Sequence, residues 1–354
     1  MKCILGIETS CDETAASVVE LTGTVRSNVV ATQIPVHARY GGVVPELASR
    51  NHVMSILPVV REALNSAYLS WSGLAAIAVT QGPGLIGALL VGIQTAKSLA
   101  YAFKLPLIAV DHVEAHVTAA MLSNPKHPEM PTATPPYVAM VASGGHTALY
   151  RVDAIGNYTV LGHTLDDAAG EAFDKVAKMM GLPYPGGLAI DRVSREGNPA
   201  AIAFPRGMMG AANLDFSFSG LKTAVRNYLA NRGSFPLSSI EIADIAASAQ
   251  EAIVDVLVEK TIRAARGEHV RQVVLSGGVA ANHRLRERLS RRCEEEQVQV
   301  VLTPLEYCTD NAAMVANLGR LFYSRGEFTS PDALDAYANL RIGSPRGIRV
   351  RESP

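Results

Sequence analysis

The sequence has no Cys-x-x-Cys pair, no surplus of basic residues and no unbroken apolar run of membrane-spanning length. Each absence excludes a class of protein. The four cysteines, Cys3, Cys11, Cys293 and Cys308, are too scattered for a disulfide framework, which points to a reducing cytoplasm. A formal net charge of −1 leaves no overall basic character, so any contact with nucleic acid rests on a local patch of Lys and Arg. The most apolar region, residues 73–93, is broken by Gln81 and by Gly82-Pro83-Gly84. It reads as strand, loop and helix, not as a membrane span. Glu8 interrupts the first apolar run too early for a signal peptide.

What is present is a globular chain of 354 residues, 48% hydrophobic and 18% charged. That length is enough for two lobes, each with its own core. Five prolines fall in residues 124–136, NPKHPEMPTATPP, a density that neither a helix interior nor a central strand tolerates. The expected division is a first lobe at 1–123, a linker at 124–136, a second lobe at 137–325 and a C-terminal segment with a basic tail at 326–354.

The two lobes follow one plan. CILGIETSCDETAASVVEL near the start is strand, small polar turn, strand, and YVAMVASGGHTALYRV after the linker has the same order. LAAIAVTQGPGLIGALLVGIQTAKSLAYAF is strand, glycine loop, helix, and VRQVVLSGGVAANHRLRERL matches it. Polar turns and glycine loops at helix N-termini offer backbone N–H groups to anions. Taken singly each is a tight turn; four in a duplicated order predict a nucleotide site.

VDHVEAHVTAA, residues 110–120, places two histidines four apart. Asp111 is suited to cap a helix whose first turn holds His112. Positions four apart share a helix face, with Cβ atoms about 5–6 Å apart, so His112 and His116 can grip one metal ion. The alternative is two satisfied, partly exposed imidazoles. Glu114 lies about 200° around the helix from His112 and points away. The zinc-protease motif HExxH needs its glutamate directly after the first histidine, where this chain has Val113. A third ligand could come from LEYCTDNAAMVANLG, where Asp310 stands at the mouth of a predicted helix and could equally be its N-cap. Two imidazoles and a carboxylate suit Fe(II) or Zn(II) acting as a Lewis acid.

GIETSCDET, YGGVVPELASR, GPGLIGALLVG, DHVEAHV, VASGGHT, DDAAGEAFDK, YPGG, LDFSFSGLKTA, SGGVAAN and CTDNAAM occur in that order between residue 3 and about residue 345. Together they resemble the TsaD family of tRNA threonylcarbamoyltransferases, once described as glycoprotein endopeptidases. The resemblance implies an α/β, duplicated actin-like and Hsp70-like ATPase fold, with two RNase H-like lobes around a central cleft. It also implies a reaction. The threonylcarbamoyl group of threonylcarbamoyl-AMP passes to N6 of the adenosine 3′ of the anticodon, in tRNAs reading codons that begin with A, and AMP leaves.

Carried over by motif, His112, His116 and Asp310 would hold iron or zinc. Val141, Ala142, Ser143, Gly144 and Gly145 would hold the adenylate, with Asp174, Gly187 and Asn282, and Asp191 would meet the ribose. The family pattern at Gly187 is usually GGP, and here it reads Gly186-Gly187-Leu188. Asp12 and Glu13, in the first polar turn, resemble residues required for activity. A carboxylate there could orient the attacking amine or take its proton, although Asp is also common in such turns. The family works with a related, catalytically silent TsaB-like partner on the first lobe's helices and with a small TsaE-like ATPase.

Three features stand apart. Arg284, Arg286, Arg288, Arg291 and Arg292 cannot share one helix face and read as a solvated surface. The tail RIGSPRGIRVRESP reads as a flexible basic contact. FSFSGLKT reads as strand and turn, with no catalytic role for Lys222. Among rival functions, an ATP-dependent kinase of the same fold needs Mg²⁺ and a catalytic Asp aimed at a hydroxyl, and a metallopeptidase fails on the position of Glu114.

Overall fold

The computed structural model describes residues 2–123, 130–232, 236–343 and 349–350. Residues 124–129 of the expected linker and most of the basic tail lie outside the described residues. The strands in chain order are β1 (Cys3–Glu8), β2 (Glu13–Glu20), β3 (Val25–Thr32), β4 (Leu74–Gly82), β5 (Leu107–Asp111) and β6 (Tyr137–Ala142). They continue as β7 (Thr147–Ala154), β8 (Asn157–His163), β9 (Gln272–Ser276), β10 (Gln299–Leu302), β11 (Phe328–Thr329) and β12 (Arg349–Val350).

Two sheets result, ordered β12-β11-β5-β4-β1-β2-β3 and β10-β9-β6-β7-β8. In the first, β1 and β2 form an antiparallel hairpin extended by β3, and β4 and β5 run parallel to β1. In the second, β6 and β7 form the hairpin and β9 and β10 run parallel to β6. The order β3-β2-β1-β4-β5 is therefore repeated as β8-β7-β6-β9-β10, the duplication expected from the order of motifs. Central strands such as β1 and β4 are buried along their whole length, as continuous apolar runs covered on both faces should be.

The chain separates into two compact units: Met1–Thr134 with Ile155–Asn157 and Asp310–Pro354, and Pro135–Ala154 with Tyr158–Thr309. The second unit thus ends at Thr309, not at 325. The reason is the helix Ala312–Tyr323, whose buried face packs on β1 and β2. Glycine at position 6 permits this approach, because a Cβ there would stand 2.7 Å from the Ala316 nitrogen. Gly319 likewise leaves room for Ala78 of β4. This packing holds Asp310, just before the helix, in the first unit.

Each unit has its own apolar core. Leu5, Ile7, Val18, Ile77, Val79, Leu89 and Ile93 anchor the first, and Met140, Phe173, Phe216, Phe218, Ile253 and Leu275 the second. The helix Ile86–Phe103 buries one face, from Ala88 and Leu89 to Ala100, and leaves Ile86, Leu90, Tyr101 and Phe103 exposed. It is thus covered on one side. By length and composition alone it is also apolar enough to cross a membrane.

Two further expectations are corrected. Residues Ser219–Arg232 are helical, so Lys222 lies on a helix, 3.6 Å from Asp167, and not in a strand and turn. Three of the arginines on the helix His283–Glu295 are held internally. Arg284 and Arg288 pair with Glu251, Arg288 also with Asp255, and Arg286 donates to the Ala280 and Thr303 carbonyls. Arg292 pairs with Glu295. The long helix Ser239–Gly267 supplies Glu251 and Asp255, which sequence spacing could not reveal.

Candidate metal centre and substrate site

Strand β5 runs directly into the short helix His112–Thr118. Asp111 caps it, its carboxylate accepting from the Glu114 N–H at 2.9 Å. One helical turn separates His112 from His116, and their ring centroids lie 4.8 Å apart with the planes nearly perpendicular. Both are buried, not partly exposed. The cap of the helix Ala312–Tyr323 is Asn311, which accepts from the Met314 N–H at 3.1 Å. Asp310 is therefore not the cap. Its Oδ1 lies 3.1 Å from Nε2 of His116 and 3.5 Å from Nε2 of His112.

These three donors lie within 4.8 Å of one another, a spacing one divalent ion would draw in to its own bond lengths. The far side of the His112 ring supports the same reading. Its Nδ1 is 3.0 Å from Oε2 of Glu8 and 3.2 Å from the Ser10 hydroxyl. Glu8 is fully buried and also accepts from the Thr80 hydroxyl at 2.7 Å and from the Ser10 N–H. A carboxylate only accepts, so it places a ring hydrogen on Nδ1 and leaves Nε2 as the nitrogen that faces Asp310. This is the carboxylate–histidine arrangement that orients metal ligands. His116 differs, because among the described residues its buried Nδ1 has no hydrogen-bond partner.

The charges agree. Burial opposes ionisation of Glu8, but His112 outweighs it and holds the carboxyl below its usual range. Burial likewise opposes protonation of His112, yet Asp310 and Glu8 push it up to about 9. The pocket is thus built around positive charge, and a divalent cation meets that demand with both Nε2 atoms bare. Glu114, which sequence spacing turns away from His112, is fully buried.

Asp12 ends the turn between β1 and β2, and Glu13, expected in that turn, is the first residue of β2, paired with Thr32 of β3. Burial raises the Asp12 carboxyl. Burial also pushes Glu13 up to about 8, reinforced by Asp12 and Asp310 and opposed by the Thr32 hydroxyl, which donates to Oε1 at 2.9 Å.

The substrate residues carried over by motif belong to the second unit. Val141 and Ala142 are buried in β6, so their side chains are core and only their backbone could face a ligand. Gly144 and Gly145 lie in the exposed turn that follows, with open space where a Cβ would be. Ser143 closes this turn, its N–H donating to the His146 carbonyl and its hydroxyl accepting from the His146 N–H. Asp174 accepts from the Gly186 N–H at 2.7 Å and so fixes the start of the helix Gly186–Val193. The steric need for glycine is at Gly186, where a Cβ would meet Asp174, whereas a Cβ at Gly187 would make only an ordinary contact with Phe173 at 3.9 Å.

Asp191 and Asn282 come together at the N-terminus of the helix His283–Glu295. Asn282 caps that helix by accepting from the Leu285 N–H, and Asp191 accepts from the His283 N–H at 3.1 Å. Gln250 accepts from the Asn282 amide at 2.7 Å and donates to the Ser194 hydroxyl at 2.8 Å. Asp191, Ser194, Arg195, Gln250, His283 and Arg284 line a cavity of about 280 Å³. Sequence reasoning missed Glu8, Ser10, Gln250 and Ser194. The only signal for Glu8 was a charge inside an otherwise apolar strand.

A family model described as tRNA N6-adenosine threonylcarbamoyltransferase matches residues 24–317. A protein of that name from Anaeromyxobacter dehalogenans (strain 2CP-C) is 55% identical over 333 residues, covering 94% of this chain and 97% of the relative. Another from Syntrophobacter fumaroxidans is 51% identical over 338 residues, covering 94% and 98%. Among solved structures, HypF from T. kodakarensis superposes with a TM-score of 0.59 at 16% identity, covering 94% of this chain and 49% of HypF. Component A of the Acidaminococcus fermentans (R)-2-hydroxyglutaryl-CoA dehydratase gives 0.52 at 14%, covering 92% and 99%. These two likenesses establish the fold alone, the duplicated actin-like ATPase architecture.

Proposed function

This chain belongs to the TsaD family of tRNA N6-adenosine threonylcarbamoyltransferases and transfers a threonylcarbamoyl group to tRNA, and we propose that threonylcarbamoyl-AMP is the donor and AMP the leaving group. The acceptor is the adenosine 3′ of the anticodon in tRNAs that read codons beginning with A. His112, His116 and Asp310 hold one divalent ion, iron(II) or zinc, which supplies a Lewis acid for the carbamoyl carbonyl. The observation that carries this reading is the convergence of those three donors with Glu8 behind His112.

An exocyclic adenine amine is a poor nucleophile, so the chain's own contribution is positioning and proton acceptance. Thr32 occupies Oε1 of Glu13, which directs acceptance of the amine proton to Oε2. Asp12 beside it orients the amine. The backbone of the Ser143–Gly145 turn receives the adenylate phosphate. Asp191 takes the ribose hydroxyls, Asn282 with Gln250 frames the nucleoside, and Asp174 with Gly187 forms the neighbouring wall.

A TsaB-like partner docks on the helices Pro45–Ser66 and Ile86–Phe103, where Val53, Met54, Leu57, Ile86 and Leu90 are exposed. A TsaE-like ATPase completes the system. Its tRNA substrate places the enzyme in the cytoplasm. The test incubates protein and partners with threonylcarbamoyl-AMP and unmodified tRNA, with mass spectrometry of the digested nucleosides. Modified adenosine is expected with wild type and not with His112→Ala. Phosphorylation of a small substrate from ATP, with no modified adenosine, would favour the kinase instead.

A further inference from the structure

His52 lies on the inner face of the helix Pro45–Ser66 and is fully buried. Its Nε2 is 2.9 Å from the Cys11 carbonyl and its Nδ1 is 2.8 Å from the Thr14 hydroxyl. A carbonyl only accepts, so Nε2 carries the hydrogen and Nδ1 is bare. The Thr14 O–H then donates to Nδ1. Burial holds the imidazole below its ordinary range, the neutral state this tautomer requires.

The two bonds bracket Asp12 and Glu13. One ring grips the residue before the pair and the residue after it. Other bonds converge on the same turn. The Gln33 N–H donates to the Asp12 carbonyl at 3.1 Å, and Thr32 donates to Glu13. Gln33 is itself fixed, its amide N–H donating to the Ala48 carbonyl at 3.3 Å and its Oε1 accepting from His37 Nε2 at 3.2 Å. The bare Nδ1 of His37 accepts from the Val44 N–H. The Gln33 amide nitrogen also lies 3.5 Å from Nδ1 of His52, so the network closes on the ring. An apolar side chain would fill the same volume without gripping the turn.

We propose that His52 is a positioning residue for the transfer reaction: by holding the Cys11 carbonyl and the Thr14 hydroxyl, it fixes the junction of the turn with β2 that presents the Asp12 and Glu13 carboxylates. It touches neither carboxylate, so it acts only through the backbone it holds. The inference rests on the reading that Asp12 and Glu13 serve the transfer.

The test measures kcat, KM for threonylcarbamoyl-AMP and zinc affinity in the complete transfer system for His52→Ala, His52→Gln and Thr14→Val. A loosened turn misplaces the carboxylates by a fraction of an ångström to an ångström, so His52→Ala is expected to lower kcat by about 10²-fold. KM and zinc affinity should stay within about twofold, because the interaction matters in the transition state. His52→Gln, which keeps a donor for Cys11, should recover part of the loss. Thr14→Val leaves the ring in place and should lower kcat by about tenfold, so a His52→Ala protein that does not fold does not shield the proposal. In a Glu13→Gln background, His52→Ala should add little further loss, since the two act as a unit.

Wild-type kcat in folded His52→Ala or in Thr14→Val would overturn the proposal, as would a parallel loss of kcat, KM and zinc affinity. If Asp12→Asn and Glu13→Gln both retain wild-type kcat, the functional reading of the turn falls and this inference falls with it. If they lose activity while His52→Ala does not, only this inference falls.

Discussion

Oε2 of Glu8 lies 3.0 Å from Nδ1 of His112, while the ring's other nitrogen faces Oδ1 of Asp310 at 3.5 Å. One residue of strand β1 thus sets the tautomer of a ligand on a helix more than a hundred residues later. Glu8→Gln preserves volume but removes the charge, and its amide can present N–H to a ring nitrogen that already carries hydrogen. Metal affinity is expected to fall by about 10–100-fold, read by competition with a chelator. An unchanged affinity would reduce Glu8 to a buried acid in the sheet.

Glu13 gives a pH dependence. Its carboxyl, pushed up to about 8 by burial, is protonated below that pH and accepts a proton only above it. The transfer rate is therefore expected to rise with pH through about 8 and to level off beyond. Glu13→Gln should lose that limb of the profile. The stability effect has the opposite direction. A carboxyl raised in the folded state favours folding at low pH, and that contribution is lost as pH rises from its ordinary value of 4.5 to about 8. Glu13→Gln should therefore be less sensitive than wild type to rising pH over that window, as urea melts at a series of pH values would record.

Gly6 couples the fold to the metal centre. A methyl group there would stand 2.7 Å from the Ala316 nitrogen and press on the helix that follows Asp310. Gly6→Ala is expected to destabilise the protein by about 1–3 kcal/mol, the range for overpacking a close contact. It should also weaken metal binding, because Asp310 moves with the helix. Denaturant midpoints and chelator competition on one preparation test both effects. A destabilised protein with full metal affinity would show that the helix position does not set the ligand geometry.

The fold's duplication was legible in the order of motifs, because each strand and glycine loop announces itself through local pattern. The histidine pair was legible from helical spacing, and Asp111 as its cap from residue type. Resemblance brought in Asp310, while local reading left it open between ligand and cap; the structure assigns the cap to Asn311. Tertiary relations were not legible. Glu8, His52 and Gln250 owe their places to partners between 32 and 104 residues distant, and no periodicity marks such a pairing. The helix after Asp310 belongs to the first unit because small residues face small residues, a complementarity that spans three hundred positions. Val141 and Ala142 are buried in β6, so within this motif only their backbone could face a ligand.

The most direct test of the central claim strips the protein of metal and measures transfer of labelled threonylcarbamoyl from its adenylate to tRNA. Wild type should fall by at least about 10²-fold on stripping and recover when iron(II) or zinc is restored. Asp310→Asn should fail to recover under the same conditions. Full transfer by the stripped protein, or by Asp310→Asn without bound metal, would contradict the account.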